Sequence, residues 1–305
     1  MKATEFNAYA LCPCESGRKA KFCCLKDSRK EWRRAPARLA AAQPRTGQSV
    51  DRCAAAFTND CGGGISREHP ISRTLLEETV LDRRVKVGGL PWQPNETFSL
   101  VGIDSLIAKV LCERHNNLLG PLDESAGKLS RAFHRFDEEL HAGAIDESMF
   151  LVAGEDIERW MLKTAVGFAA AKWTSATLPS EAHSLLFEGA DWPDGWGLYL
   201  NTAREPTVYH TESWDLQTFV RPDGRLAAVR IALAGLPLYL LMGKPDVPGS
   251  FGIKRPEFVR LKGTNGGQRQ IVFSWAIGQS GTWIELERSG SYDGQPPNWP
   301  EWARD

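Results

Sequence analysis

All seven cysteines of this 305-residue chain lie before residue 113, and they fall into two sets with metal-ligand spacing. The first set is Cys12-Pro13-Cys14 and, after eight intervening residues, Cys23-Cys24. The second is Cys53 and Cys61, answered far along the chain by Cys112-Glu113-Arg114-His115. Disulfide scaffolds usually spread their cysteines through a small secreted chain, so zinc in a reducing compartment explains this clustering better. Cys12, Cys14, Cys23 and Cys24 close a four-thiolate knuckle with its turn at Ser16-Gly17. Cys53, Cys61, Cys112 and His115 form a Cys₃His site in which two early and two late ligands pin a hairpin to a helix.

Between the two halves of the second set stands Gly62-Gly63-Gly64-Ile65-Ser66-Arg67-Glu68-His69-Pro70, and Asn116-Asn117 follow His115 directly. Two cysteines, an acid-His pair, then Cys-x-x-His followed by Asn: in this order the segment resembles the HNH (ββα-metal) endonuclease family, in the subgroup framed by zinc-binding cysteines. The resemblance covers about a quarter of the chain. It implies a ββα core, a single catalytic divalent metal on Glu68 and Asn116, and His69 as general base. It favours DNA as the substrate and a role in defence against foreign or mobile DNA. The knuckle resembles the C-terminal (SEC-C) zinc motif of the SecA translocase, with Glu15 where that motif usually has Gly; this resemblance implies a docking element for a protein partner.

The residue types support the same chemistry independently. Phosphodiester hydrolysis near neutral pH needs a base of pKa near 7, and histidine is the side chain closest to that value. It also needs a cation to offset charge on the phosphate, and hard oxygen donors such as Glu68 and the Asn116 amide suit Mg²⁺ or Mn²⁺. An isolated Glu-His pair is most often a surface feature; its framing by Cys53, Cys61, Cys112 and His115 favours a site. The competing reading is a non-catalytic zinc adaptor that binds nucleic acid or protein and keeps the scaffold for its shape.

Net charge is −1, so bulk charge does not mark a nucleic-acid binder. Its distribution is uneven: residues 1–50 hold eleven Lys/Arg against four Asp/Glu. Such an arm either strengthens phosphate contact or is a solvated linker. The start, Met1-Lys2-Ala3-Thr4-Glu5, has no apolar run, and no stretch approaches the ~20 apolar residues of a membrane span, so a cytoplasmic location without a membrane partner is expected.

The expected class is α+β, with a small N-terminal zinc knuckle, an HNH-like core with a helical extension, and a mostly antiparallel C-terminal β domain. The expected segments are 1–30 (knuckle), 31–50 (basic linker, with room for a short helix at 37–42), 51–127 (nuclease-like), 128–190 (helical) and 191–305 (β-rich). Within the nuclease-like segment a helix is expected at 74–81 and strands at 84–88 and 98–101. Gly120-Pro121 suggests a bend, after which Leu122, Ala126, Leu129, Phe133, Phe136 and Leu140 make one helical face. A second helix is expected at 155–173 and another begins near Ser180. Beyond it strands are expected at 196–200, 214–220, 226–233, 238–242, 258–262, 271–276 and 282–287, with turns at Pro222-Asp223-Gly224 and Asn265-Gly266-Gly267.

Overall fold

A computed structural model describes residues 6–26, 31–41, 43–79, 83–94, 97–141, 148–200, 207–209, 214–233, 236–244, 252–263, 267–276 and 283–288. The chain is mixed α+β. In order it forms β1 (Leu25–Lys26), β2 (Glu31–Trp32), α1 (Arg73–Thr79), β3 (Arg84–Gly88), β4 (Phe98–Gly102), α2 (Glu113–His141), β5 (Ser148–Ala153), α3 (Gly154–Ala170) and α4 (Glu181–Phe187). There follow β6 (Gly197–Leu200), β7 (Thr207–Tyr209), β8 (Trp214–Val220), β9 (Leu226–Leu233), β10 (Leu236–Leu241), β11 (Ile253–Lys254), β12 (Phe258–Lys262), β13 (Gln268–Ser274) and β14 (Trp283–Arg288). The expected turn at Asn265-Gly266 lies outside the described residues.

Helix α2 is longer than its sequence suggests. It starts directly after Cys112 and runs through Pro121 without a break. Proline at 121 removes the N–H that would bond the Asn117 carbonyl, but Asn117 is exposed and water can satisfy that oxygen, so the helix tolerates the loss. The apolar stripe from Leu119 to Leu140 is buried, with Phe133 and Phe136 at 1% and 0% exposure. Each such aromatic contributes ~1.5–3 kcal/mol by leaving water.

Helix α3 has no wet face. It packs against α2 and α4 and against β5, β6, β9 and β10, which belong to two different sheets. A helix covered on all sides should be apolar all round, yet α3 buries Asp156, Glu158 and Lys163. Each is paired with a different part of the chain. Asp156 Oδ1 accepts from Ala37 N at 2.7 Å, and Glu158 is gripped by Arg255 through Nε and Nη2, both at 3.0 Å. Lys163 reaches the Glu68 segment. The helix thus ties the linker, the first sheet and the candidate site together through charges that cannot be left unpaired in a dry interior.

The sheet β11-β6-β10-β9-β8 is antiparallel throughout. The second sheet, β5-β13-β12-β14-β7, is not: only β12–β13 is antiparallel, and β5–β13, β12–β14 and β14–β7 are parallel. The expectation of a mostly antiparallel C-terminal region therefore holds for one sheet and is corrected for the other. One parallel pairing comes from β5, which enters from the segment expected to be helical and lies along β13; the other two come from β14, which lies parallel to both β12 and β7. A single cluster of buried residues runs from Cys53 to Trp275, so the segments 51–127, 128–190 and 191–305 share one core.

The knuckle and linker are held on this body. Leu151 of β5 is buried among Cys12, Cys14, Ala20 and Cys24, with Val272 of β13 packed alongside, and Leu151 N donates to Pro13 O at 3.1 Å. Residues 33–41 are irregular where a short helix was conceivable, because their backbone donors are taken by the core: Arg34 N by Ser274 Oγ at 2.9 Å, and Ala37 N by Asp156. Ala42 lies outside the described residues.

Candidate metal centres and a buried ion triad

All seven cysteines are free thiols, and six of them are buried. In each quartet the four ligand atoms lie within 4.8 Å of one another. A tetrahedral zinc with Zn–S of ~2.3 Å and Zn–N of ~2.05 Å sets its ligands roughly 3.6–3.8 Å apart. In the first quartet, Cys14–Cys23 and Cys23–Cys24 sulfurs are each 3.6 Å apart. In the second, His115 Nδ1 stands 3.2 Å from Cys112 Sγ, 3.5 Å from Cys53 Sγ and 3.9 Å from Cys61 Sγ. The spacing and donor chemistry fit zinc at both sites.

The surroundings strengthen the assignment. His115 Nε2 lies 3.2 Å from Thr58 Oγ1, and that hydroxyl donates to Ala55 O at 2.8 Å. The chain of polarity leaves Thr58 as acceptor, so Nε2 carries the proton and Nδ1 faces the sulfurs with its lone pair. Without a cation the thiols divide. The hydrogen bond with Cys12 leads in holding Cys14 well below the usual thiol value and, against burial, backbone hydrogen bonds lower Cys112. Burial pushes Cys53 up to about 12 and the hydrogen bond with Cys14 leads in pushing Cys12 up to about 11, so not every ligand is a thiolate. A bound dication supplies the charge that reverses this. Arg34 Nη1 donates to Cys14 Sγ at 3.6 Å and Cys112 N to Cys53 Sγ at 3.4 Å, both favouring the thiolate form.

Around the second quartet, residues 62–68 run antiparallel to 108–114. Isolated bridges join Ile65 to Cys112 and Glu68 to Ala108, and Glu68 N donates to Ala108 O at 2.8 Å with the return bond at 2.7 Å. Glu113 N and Arg114 N, the first donors of α2, are taken by Gly64 O at 2.9 Å and Gly62 O at 3.0 Å. The glycine turn therefore caps the helix with main-chain oxygens. Gly63 has φ +72°, and a Cβ there would fall inside the Glu113 carboxylate, which is why this turn is glycine.

The sequence-chosen triplet sits on these pieces. Glu68 ends the first arm, 4% exposed. His69 follows it, half-buried, its Nε2 buried without a hydrogen-bond partner among the described residues. Burial, then the nearby Arg73 charge, lowers its pKa, so the ring is neutral at pH 7 and able to accept a proton. Asn116 is half-buried in the first turn of α2, with its backbone N–H bonded to Cys112 O at 2.9 Å.

Two residues absent from the sequence reading complete the picture. Lys163, 3% exposed, places its ammonium 2.5 Å from Glu68 Oε1 and 2.8 Å from both carboxylate oxygens of Asp123. It also donates to His69 O at 3.3 Å. The Asp123 contacts are well-directed hydrogen bonds; the Glu68 contact is an ion pair, since Oε1 has no hydrogen bond of good geometry. Burial alone would lower the Lys163 pKa, but the Asp123 and Glu68 charges reverse this and hold it above its usual value. Burial pushes Glu68 up, with Lys163 opposing. The signal available in sequence was one cation inside Trp160-Met161-Leu162-Lys163-Thr164-Ala165-Val166, a run with no other charge.

A catalytic Mg²⁺ or Mn²⁺ on Glu68 does not fit this arrangement, because the carboxylate is buried and already neutralised by Lys163. Among the described residues no helix is long and apolar enough to cross a membrane. Comparison with protein-family models, with curated proteins and with solved structures finds no match to this chain.

Proposed function

We propose that this chain is a zinc-stapled endonuclease of the HNH type that hydrolyses phosphodiester bonds in nucleic acid, with DNA the favoured substrate and defence against foreign or mobile DNA the favoured setting. The observation that carries the reading is the joining of two antiparallel arms, 62–68 and 108–114, to the start of α2 by a Cys₃His quartet, with neutral His69 at the end of the first arm. His69 is assigned the proton of the attacking water; its Nε2 has no protein partner among the described residues but is closed to solvent in this structure, so the role requires that the bound substrate or a turn of the ring opens it. Asn116, one residue beyond the last zinc ligand, offers an amide oxygen on the helix side. Glu68 is assigned no metal in this reading, since its charge is met by Lys163. The knuckle, in this proposal, is a SEC-C-like element whose outward face meets a protein partner.

A second reading, the non-catalytic zinc adaptor, is favoured by that same Lys163–Glu68 pair, which uses an acid the hydrolase family devotes to metal. Incubating zinc-loaded protein with supercoiled plasmid and with single-stranded DNA and RNA, with Mg²⁺, with Mn²⁺ and with neither, separates the two. Cleavage under any of these conditions supports the nuclease; binding without cleavage under all of them supports the adaptor.

A further inference from the structure

Four oxygens converge on the Lys163 ammonium: Glu68 Oε1 at 2.5 Å, Asp123 Oδ1 and Oδ2 at 2.8 Å and the His69 carbonyl at 3.3 Å. They come from the first arm and from α2, and the cation comes from α3. Carboxylates and a main-chain carbonyl are the donor set of a hard divalent cation, and here the set encloses a side chain of the protein itself. Mg²⁺ demands ligands at ~2.0–2.1 Å and keeps several of its waters. The cavity that touches both Glu68 and Lys163 has a volume of about 10 Å³, and its other walls include Ala54, Pro70, Val110 and Leu111. That is at most the room of one water molecule, with apolar walls that give a water few partners.

We propose that Lys163 is the resident cation of this site: it supplies at Glu68 the positive charge that a divalent metal would otherwise supply, and Glu68 is a positioning residue that fixes the His69 backbone, not a metal ligand. The consequence for the reaction is specific. With Asp123 and Glu68 on one ammonium, the triad holds the end of the first arm, and thus His69, in fixed register with α2. Any divalent ion used in cleavage is held without the Glu68 carboxylate. The inference rests on the nuclease reading only for the role it gives His69; the occupancy of the cage is independent of it.

The test uses the full, zinc-loaded chain without nucleic acid. Mn²⁺ binding is measured by electron paramagnetic resonance for the parent and for Glu68→Gln, which keeps shape and leaves Lys163 its Asp123 partner. The expected result is no Glu68-dependent Mn²⁺ affinity, with any dissociation constant within two-fold between the two proteins. A ten-fold or greater loss in Glu68→Gln overturns the proposal. Because Glu68→Gln can perturb folding, the parent is also examined by nitrogen-15 spectroscopy of its lysine ammonium groups. Millimolar Mg²⁺ should leave the Lys163 resonance in place, and its displacement would overturn the proposal. A protein that cuts nothing yet shows this pattern loses the nuclease reading and keeps the inference. One that cuts, with Mn²⁺ affinity sensitive to Glu68→Gln, does the reverse.

Discussion

The ammonium of Lys163 and the carboxylate of Glu68 stand 2.5 Å apart with 3% and 4% of their residues exposed, ninety-five positions apart in sequence. A buried pair of this kind adds little over an apolar substitute, but losing one partner leaves an uncompensated charge. Lys163→Met should therefore cost about 3–5 kcal/mol, and adding Glu68→Gln to it should recover part of that loss. Urea denaturation of the two variants checks this; a Lys163→Met protein as stable as the parent would show that the pair is solvated in solution.

Zinc content follows from the two quartets. Purified protein should carry two zinc ions per chain by native mass spectrometry, and Cys112→Ala should carry one and be loosened around α2, since structural zinc contributes folding energy directly. Thr58→Val removes the hydroxyl that holds His115 Nε2 and should weaken the second zinc about 10–100-fold while leaving the first untouched. Chelator competition at each site gives the readout.

The knuckle is packed on β5 and β13, so removing residues 1–26 should uncover Leu151 and strip Leu151 N of its Pro13 partner. The expected destabilisation is about 2–3 kcal/mol, mostly the apolar burial of one leucine. An unchanged melting temperature in the truncated protein would mean that the knuckle moves freely from the body.

How much of this was legible in sequence depended on how local each signal was. The first quartet is legible from its spacing; the second, whose halves stand far apart in the chain, is legible from the order Cys, Cys, Glu-His, Cys-x-x-His-Asn that carries the resemblance. Strand 84–88 is legible from its alternating start, and strand 226–233 from the turn Pro222-Asp223-Gly224 just ahead of it, although it is buried along nearly its whole length. Strand β5 is not. Ser148-Met149-Phe150-Leu151-Val152-Ala153 is covered on both faces, so it shows no alternation, and it runs into α3 at Gly154 with no turn residues between them. The parallel β5–β13 pairing of the second sheet is hidden for the same reason. Lys163 is not legible in sequence because a single charge in a helical pattern reads as a solvated position; only the packing of α3 on every side makes it a buried one. The continuity of α2 through Pro121 depended on exposure at Asn117, which periodicity does not report.

Stability should fall as pH drops through the usual imidazole value of about 6.5. Burial lowers the pKa of His183, and burial with Arg73 lowers that of His69. For such groups the unfolded chain takes up protons first, so their contribution is complete above the unfolded value and is lost as pH falls toward the folded one. Glu68, Asp156 and Glu158, raised by burial, act oppositely: their contribution is present at low pH and is lost as pH rises through their folded values. The histidine part is isolated by comparison. The difference in melting temperature between pH 5.5 and 7.5 should shrink in His183→Gln, and an unaltered difference would mean that His183 is not held neutral by the fold.

In the proposed reaction His69 takes a proton from water beside a phosphodiester. Plasmid nicking by the parent and by His69→Ala, at matched zinc content and matched circular dichroism, tests it directly. The parent should cleave, and His69→Ala should lose about 10²–10⁴-fold in rate with nucleic-acid binding nearly unchanged. Equal cleavage by the two proteins would contradict the role given to His69, and a parent that binds nucleic acid but cuts none would leave the zinc adaptor as the function.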